Sequence, residues 1–262
     1  MSNQTYGAIL SPKDLRNYKL NSVAKAVALP KTFSLGTTTI KNQGSVCSCV
    51  AHTLAEILEK MTLLRCSTEW IYGYRPAGYY QDLGMKPLDA LKTIQKVGYL
   101  SYVELRGNFE MQRAKTIVNN KLEEYKKLAS VRKVVSYARL NGIQDIKQAL
   151  YSSLTPVMVV IGIDKNTGLM LDENNIAFVP NEVEASHAVM CYGWNENGLL
   201  IQNSWGSSWG DKGTFILPYE YEVLESWFIN VRNQELIQKP SAFTLRELLM
   251  NLFHCVSKSF QK

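Results

Sequence analysis

The hydrophobic pattern of this chain changes character once, near residue 130, and that change limits it to folds that segregate helices from sheet. Before the change the apolar residues step by three and four. Val50, Leu54, Ile57, Leu58 and Met61 predict a helix over 49–64. Residues 68–73 and 88–97 read the same way, the latter through a stripe of Leu88, Leu91, Ile94 and Val97 that ends at Gly98. Residues 114–129 predict a charged amphipathic helix. After the change come short runs rich in Val, Ile and aromatics, at 131–139, 156–163, 187–194, 198–205 and 213–217, with turn residues between them. These predict strands, interrupted by one helix near 143–153. The expectation is an α+β chain of two lobes within one fold. Four segments follow: a strap or short pro-like segment at 1–40, a helical lobe at 41–130, a β lobe at 131–235 and an extension at 236–262.

Composition narrows the function classes. With 46% hydrophobic and 20% charged residues the chain can bury a sizeable core. Its 29 basic and 23 acidic residues give +6, but the cations are scattered, so no nucleic-acid partner is expected. The first fifteen residues lack a secretory pattern, and no apolar run approaches the ~20 residues of a membrane span. The expected location is cytoplasmic or inside a phage or virion particle. Five cysteines, Cys47, Cys49, Cys66, Cys191 and Cys255, are an odd number without the spacing of a disulfide scaffold. A reducing compartment fits, and no metal or cofactor is expected. The tail opens on a capping box, Thr244-Leu-Arg-Glu247, followed by an apolar face from Leu245 to Phe260. Its commonest fate is to pack on its own domain; the alternative is that 244–260 docks a partner, an assembly or a membrane surface.

One cysteine is placed for chemistry. A thiol must become a thiolate to act, and a helix N-terminus and a neighbouring imidazolium both favour that. Cys49 stands where the 49–64 helix should begin, after the polar turn Asn42-Gln43-Gly44-Ser45. Three histidines could serve it. His52 lies on the same helix and would leave a substrate little room; His254 is in the tail. His187 opens a strand of the other lobe and can face Cys49 across a cleft. Asn203 follows sixteen residues later, and an amide oxygen there can hold a histidine ring in one tautomer.

Three motifs carry a family resemblance. KNQGSVCSCVA (41–51) resembles the nucleophile motif of papain-like cysteine peptidases, SHAVMCYGW (186–194) their histidine strand, and QNSWGSSWGDKG (202–213) their asparagine motif. Order and separations are similar to that family, and the entry segment, Leu83-Gly84-Met85 and PYEY (218–221) resemble its bacterial, archaeal and phage branch. The resemblance implies a papain-like two-lobe fold: a helical left lobe and an antiparallel β-barrel-like right lobe, with the site in the cleft between them. It implies Cys49 as nucleophile, His187 as ion-pair partner and later acid, Asn203 orienting His187, and Gln43 with the Cys49 N–H holding the oxyanion. Trp205 should cover the His187–Asn203 bond. Gly84 and Met85 should line the cleft and pair with an extended peptide. Val160, Ala185, Ala188 and Met85 should shape an apolar specificity pocket, preferring a hydrophobic residue two positions before the cleaved bond.

The chain departs from the motif at Val46, where the family has its disulfide cysteine, at Cys47, where it has glycine, and at Val50, where it has tryptophan. The leading reading is a cysteine endopeptidase acting on peptide or protein through a thioacyl-enzyme. The alternatives are a lapsed papain-fold binding or structural protein, and an amidase or transglutaminase, which usually carry Asp at the Asn203 position. The segment ahead of Leu29 is short for an inhibitory pro-segment and reads as a strap across the lobes, with partial cover of the cleft as the alternative.

Overall fold

The computed structural model describes residues 6–13, 28–75, 84–105 and 114–231. Elements run β1 (Phe33–Ser34), α1 (Cys49–Thr62), α2 (Thr68–Gly73), α3 (Pro87–Lys96), α4 (Ala114–Asn120), α5 (Leu122–Ala129), β2 (Val134–Arg139), α6 (Gly142–Ser153), β3 (Val157–Asp164), β4 (Val183–Trp194), β5 (Gly198–Gln202), β6 (Thr214–Pro218) and β7 (Val223–Val231). Among the described residues, five of the six helices thus precede residue 130 and six of the seven strands follow it.

Three elements differ from the sequence pattern, the slightest being the two-residue β1 in a segment read as irregular. The helix expected over 114–129 is a pair, broken at Lys121 (φ −133°, ψ 34°). The burial stripe Ala114, Val118, Tyr125, Ala129 continues across the break, so periodicity alone could not show it. Asn119 and Asn120 just before it are weak helix formers that favour turns. The third difference is β7, absent from the strands read in the sequence. Its run VLESWFINV carries Glu225, Ser226 and Asn230, which interrupt the alternation. It nevertheless lies inside the sheet, paired with β2 on one side and β3 on the other.

All strand pairs are antiparallel, in the order β2-β7-β3-β4-β5-β6, with β1 added beside β4. The path is open, with β2 and β6 at its ends, so the β lobe is a sheet rather than a closed barrel. β3 is buried along all eight residues. Met158 and Val160 join the cluster that contains α1, while Val157, Val159, Ile161 and Ile163 join Ile146, Ala149 and Leu150 of α6 on the other face.

α1 is the element that positions the site. Eleven of its 14 residues are buried, so the helix is enclosed all round and not merely amphipathic. Each fully buried Leu or Ile contributes roughly 1.5–3 kcal/mol, and Leu54, Ile57 and Leu58 are all inaccessible. Thr53 Oγ1 donates to the Ala188 carbonyl at 2.9 Å, tying the helix to β4 one residue from His187.

Among the described residues no helix is long and apolar enough to cross a membrane. The described cysteines Cys47, Cys49, Cys66 and Cys191 form no disulfide with one another. The extension 236–262, with its expected helix 244–260, lies outside the described residues.

Candidate active site

Cys49 is the first residue of α1, after the N-cap Ser48. Ser48 makes no side-chain cap. Its carbonyl and hydroxyl instead meet His52 Nδ1 at 3.0 and 3.2 Å, which ties up that histidine at the helix start. The first-turn N–H groups of a helix have no intrahelical partner, so the Cys49 sulfur sits at a positive helix end. Even so, burial pushes its thiol up to about 11; backbone groups of Ala188, Gly7 and Val50 pull the other way.

His187 lies on β4, fully buried. Its Nε2 is 2.8 Å from Asn203 Oδ1, and the same Oδ1 is 2.8 Å from the Ser204 backbone nitrogen. A backbone N–H can only donate, so the atom it meets is the amide oxygen, and an oxygen can only accept. His187 Nε2 therefore carries the ring proton and Nδ1 is the bare, basic nitrogen. That Nδ1 is buried and has no hydrogen-bond partner. The thiol and the imidazole thus lie on two elements joined through Ala188, with no bond between them. Burial holds His187 down at about 4, partly offset by Asn203. Both groups are neutral here.

Trp205 stacks on the imidazole, ring centroids 4.6 Å apart at 22°, and Trp209 meets Trp205 edge-on at 4.9 Å. Gln43 is buried as well. Its Oε1 accepts from Ser204 Oγ at 2.7 Å and its Nε2 donates to the Val46 carbonyl at 3.0 Å. Ser204, not singled out in the sequence, therefore holds both amides: Asn203 by its N–H, Gln43 by its hydroxyl. It stood in plain view within the asparagine motif.

The cleft is occupied by the chain itself. The Tyr6 ring meets His187 at 6.0 Å and Trp205 at 5.8 Å. Gly7 packs so tightly that an added Cβ would lie 2.2 Å from the Cys47 carbonyl oxygen. Ala8 N–H donates to the Ser186 carbonyl at 3.2 Å, and Ser186 Oγ returns a bond to the Ala8 carbonyl. On the opposite wall Met85 N–H donates to the Gly7 carbonyl at 2.9 Å and Ile9 N–H to the Met85 carbonyl at 3.1 Å, a parallel bridge centred on Ala8 and Met85. A Cβ on Gly84 (φ +81°) would lie 1.9 Å from the Gly7 carbonyl oxygen, so glycine is needed there twice over. Met85 thus pairs with the extended segment 7–9, and Gly84 packs against Gly7. Val160 and Ala188 pair directly in register and share a face. Ala185 pairs with Ile163 and packs with the other core cluster, apart from them.

Residues 83–226 match the family model described as papain family cysteine protease. The chain is 28% identical over 226 residues to an uncharacterized peptidase C1-like protein of Acanthamoeba polyphaga mimivirus, covering 77% of this chain and 70% of that one. In structure it resembles xylellain, a cysteine protease from Xylella fastidiosa, with TM-score 0.69, 21% identity, and 87% and 97% of the two chains covered. It also resembles the bromelain protease of Ananas comosus, with TM-score 0.59, 16% identity, and 77% and 99% covered. With more than half its length matched by that family model and its fold shared with these enzymes, the chain belongs to the papain family of cysteine proteases.

Proposed function

We propose that the chain is a cysteine endopeptidase, using Cys49, His187 and Asn203, whose cleft is covered by its own residues 6–12. The observation that carries this reading is the bond pattern around His187. Asn203 and Ser204 together leave Nδ1 bare on the strand against which the Cys49 sulfur rests.

When the covering segment is out, water and substrate reach the pair, and the desolvation that keeps both groups neutral is relieved. His187 Nδ1 takes the thiol proton, and the thiolate attacks the scissile carbonyl carbon. The oxyanion is held by Gln43 Nε2 and the Cys49 N–H at the helix terminus. Collapse of the tetrahedral adduct breaks the C–N bond, and the imidazolium gives its proton to the leaving amine. The thioester then reacts with a water that His187 deprotonates, releasing the acid and restoring the pair. Trp205 keeps water from the His187–Asn203 bond.

The segment 6–12 bridges both walls, so it is a strap and a cover at once. The test is reaction of the full chain with an epoxide peptide and hydrolysis of a fluorogenic peptide. The label should land on Cys49, and Cys49→Ala should abolish both signals. Persistent hydrolysis in Cys49→Ala, or transfer to an added amine in preference to water, would overturn the reading.

A further inference from the structure

The proposed mechanism leaves one cysteine beside the site unused. Cys47 precedes Cys49 by two residues. Both side chains converge on the same part of the cover. A backbone group of Gly7 reaches the Cys49 sulfur. A Cβ built on Gly7 would lie 2.6 Å from Cys47 Cβ, so the Cys47 side chain packs against that same glycine. A charge on Cys47 is also felt at Cys49, where it raises the thiol. Cys47 thus stands next to Cys49 under the cover, and it is partly exposed where Cys49 is buried.

The backbone between the two is already turned. Ser48 has φ −110° and ψ 18°, and its N–H donates to the Val46 carbonyl at 2.7 Å. A turned residue between two trans peptides brings the flanking Cα atoms to within about 6 Å, inside the range that disulfides span. The other described cysteines are engaged elsewhere. Cys66 donates its S–H to the Leu64 carbonyl, and Cys191 packs in the core cluster that holds α6.

We propose that Cys47 and Cys49 are a redox-sensitive dithiol, in which Cys47 resolves an oxidised Cys49 as an intramolecular disulfide. The proposal rests on Cys49 as the nucleophile read above, and not on what the chain hydrolyses. The oxidant is a hydroperoxide such as hydrogen peroxide. With the cover out, the Cys49 thiolate attacks one peroxide oxygen. An S–O bond forms, the O–O bond breaks and hydroxide leaves; sulfur is oxidised by two electrons and the peroxide is reduced. The Cys47 sulfur then attacks the Cys49 sulfur. An S–S bond forms, the S–O bond breaks, and the oxygen leaves as water with the Cys47 proton. An external dithiol reduces the bridge and returns both thiols. A loop closed over one residue is a tight ring, and strained disulfides are the readily reduced ones, which suits a transient bridge in a reducing compartment. Without a sulfur at position 47 the sulfenic acid passes on to sulfinic and sulfonic acid, and the nucleophile is lost.

The test exposes full-length wild-type and Gly7→Val chains to hydrogen peroxide, blocks the remaining thiols with a maleimide and maps the peptides by mass spectrometry. The peptide holding Cys47 and Cys49 should appear unblocked and lighter by two hydrogens, and should form about 10-fold faster in the Gly7→Val chain. Epoxide labelling of Cys49 is followed in parallel: before peroxide, after it, and after dithiothreitol. Labelling should fall and then return to within about twofold of its start, whereas Cys47→Ser and Cys47→Gly chains should start unchanged and recover about 10-fold less. Two replacements of different size keep a packing effect apart from the loss of the sulfur. Sulfinic acid at Cys49 while Cys47 is present, a bridge from Cys49 to another cysteine, or equal recovery without Cys47 overturns the proposal. A chain that forms and reopens the bridge yet hydrolyses no peptide supports it and overturns the peptidase reading. A chain whose Cys49 neither labels nor oxidises overturns both.

Discussion

The segment over the cleft and the helix beneath it are held by opposite means. Residues 6–12 are fixed mainly by hydrogen bonds to backbone and to Glu225, and Leu10 among them is 46% exposed. α1 is fixed by burial on every side, with Leu54, Ile57 and Leu58 fully enclosed. Hydrogen bonds exchanged with water contribute little net, about 0.5–1.5 kcal/mol each, whereas apolar burial has no such substitute in solvent. On the proposed reading the cover is the part that can leave, and the seat of Cys49 is the part that cannot. The proposed latent peptidase needs that division.

The largest effects should come from the fixed part. In a chain with the cover displaced, His187→Ala should lower kcat/KM about 100- to 10,000-fold. Gln43→Ala should lower kcat about 100- to 1000-fold, with KM little changed, because the oxyanion forms only after binding. A large rise in KM with kcat kept would show that Gln43 binds substrate and does not hold the oxyanion.

The movable part should give smaller changes of the opposite sign. Ser11→Pro removes the N–H that Glu225 accepts, and hydrolysis by the full chain should rise about 10-fold. The pH dependence of labelling is a second probe. The covered thiol ionises near 11, so alkylation of the intact chain should climb steadily from neutral pH towards that value. With the cover displaced it should level off well below. Identical profiles for the two would mean that residues 6–12 do not desolvate Cys49.

The last effect concerns stability and lies in α1 itself. Glu56 is inaccessible. Burial raises its carboxyl from 4.5 to about 8, against the pull of Lys41 and of hydrogen bonding from Gln202 and the Lys41 backbone. The folded protein keeps a proton that the unfolded chain releases above pH ~4.5, so this group costs stability as pH rises from there towards 8. Glu56→Gln should remove that slope: no change near pH 4, and a gain above pH 7 on the order of 3 kcal/mol, roughly 6–12 °C in Tm. A loss at all pH values would mean that the carboxylate has a partner that Gln cannot replace.

Most of the helical lobe and the central strands were legible in the sequence, because burial there follows a clean period. β7 was not, because Glu225 and Ser226 break the alternation in a strand whose neighbours make it internal. The residues proposed as catalytic were legible for a different reason: Cys49 at a helix start, and His187 and Asn203 within motifs, are local signals. The segment ahead of Leu29 reads as a strap across the lobes, with partial cover of the cleft as the alternative, but its seat was not legible. Its geometry depends on Gly7, Ala8 and Ser11, small residues with no periodicity, whose partners Met85, Ser186 and Glu225 lie 77 to 214 positions away along the chain.

The most direct test is hydrolysis of one fluorogenic peptide by three full-length chains: wild type, Gly7→Val, and Gly7→Val with Cys49→Ala. A Cβ at position 7 would fall within 2.2 Å of the Cys47 carbonyl oxygen, so Gly7→Val should free the cleft and raise kcat/KM about 10-fold or more over wild type. Adding Cys49→Ala should return the rate to background. A folded Gly7→Val chain no faster than wild type, or one still active without the Cys49 sulfur, would contradict a cysteine peptidase held latent by its own N-terminal segment.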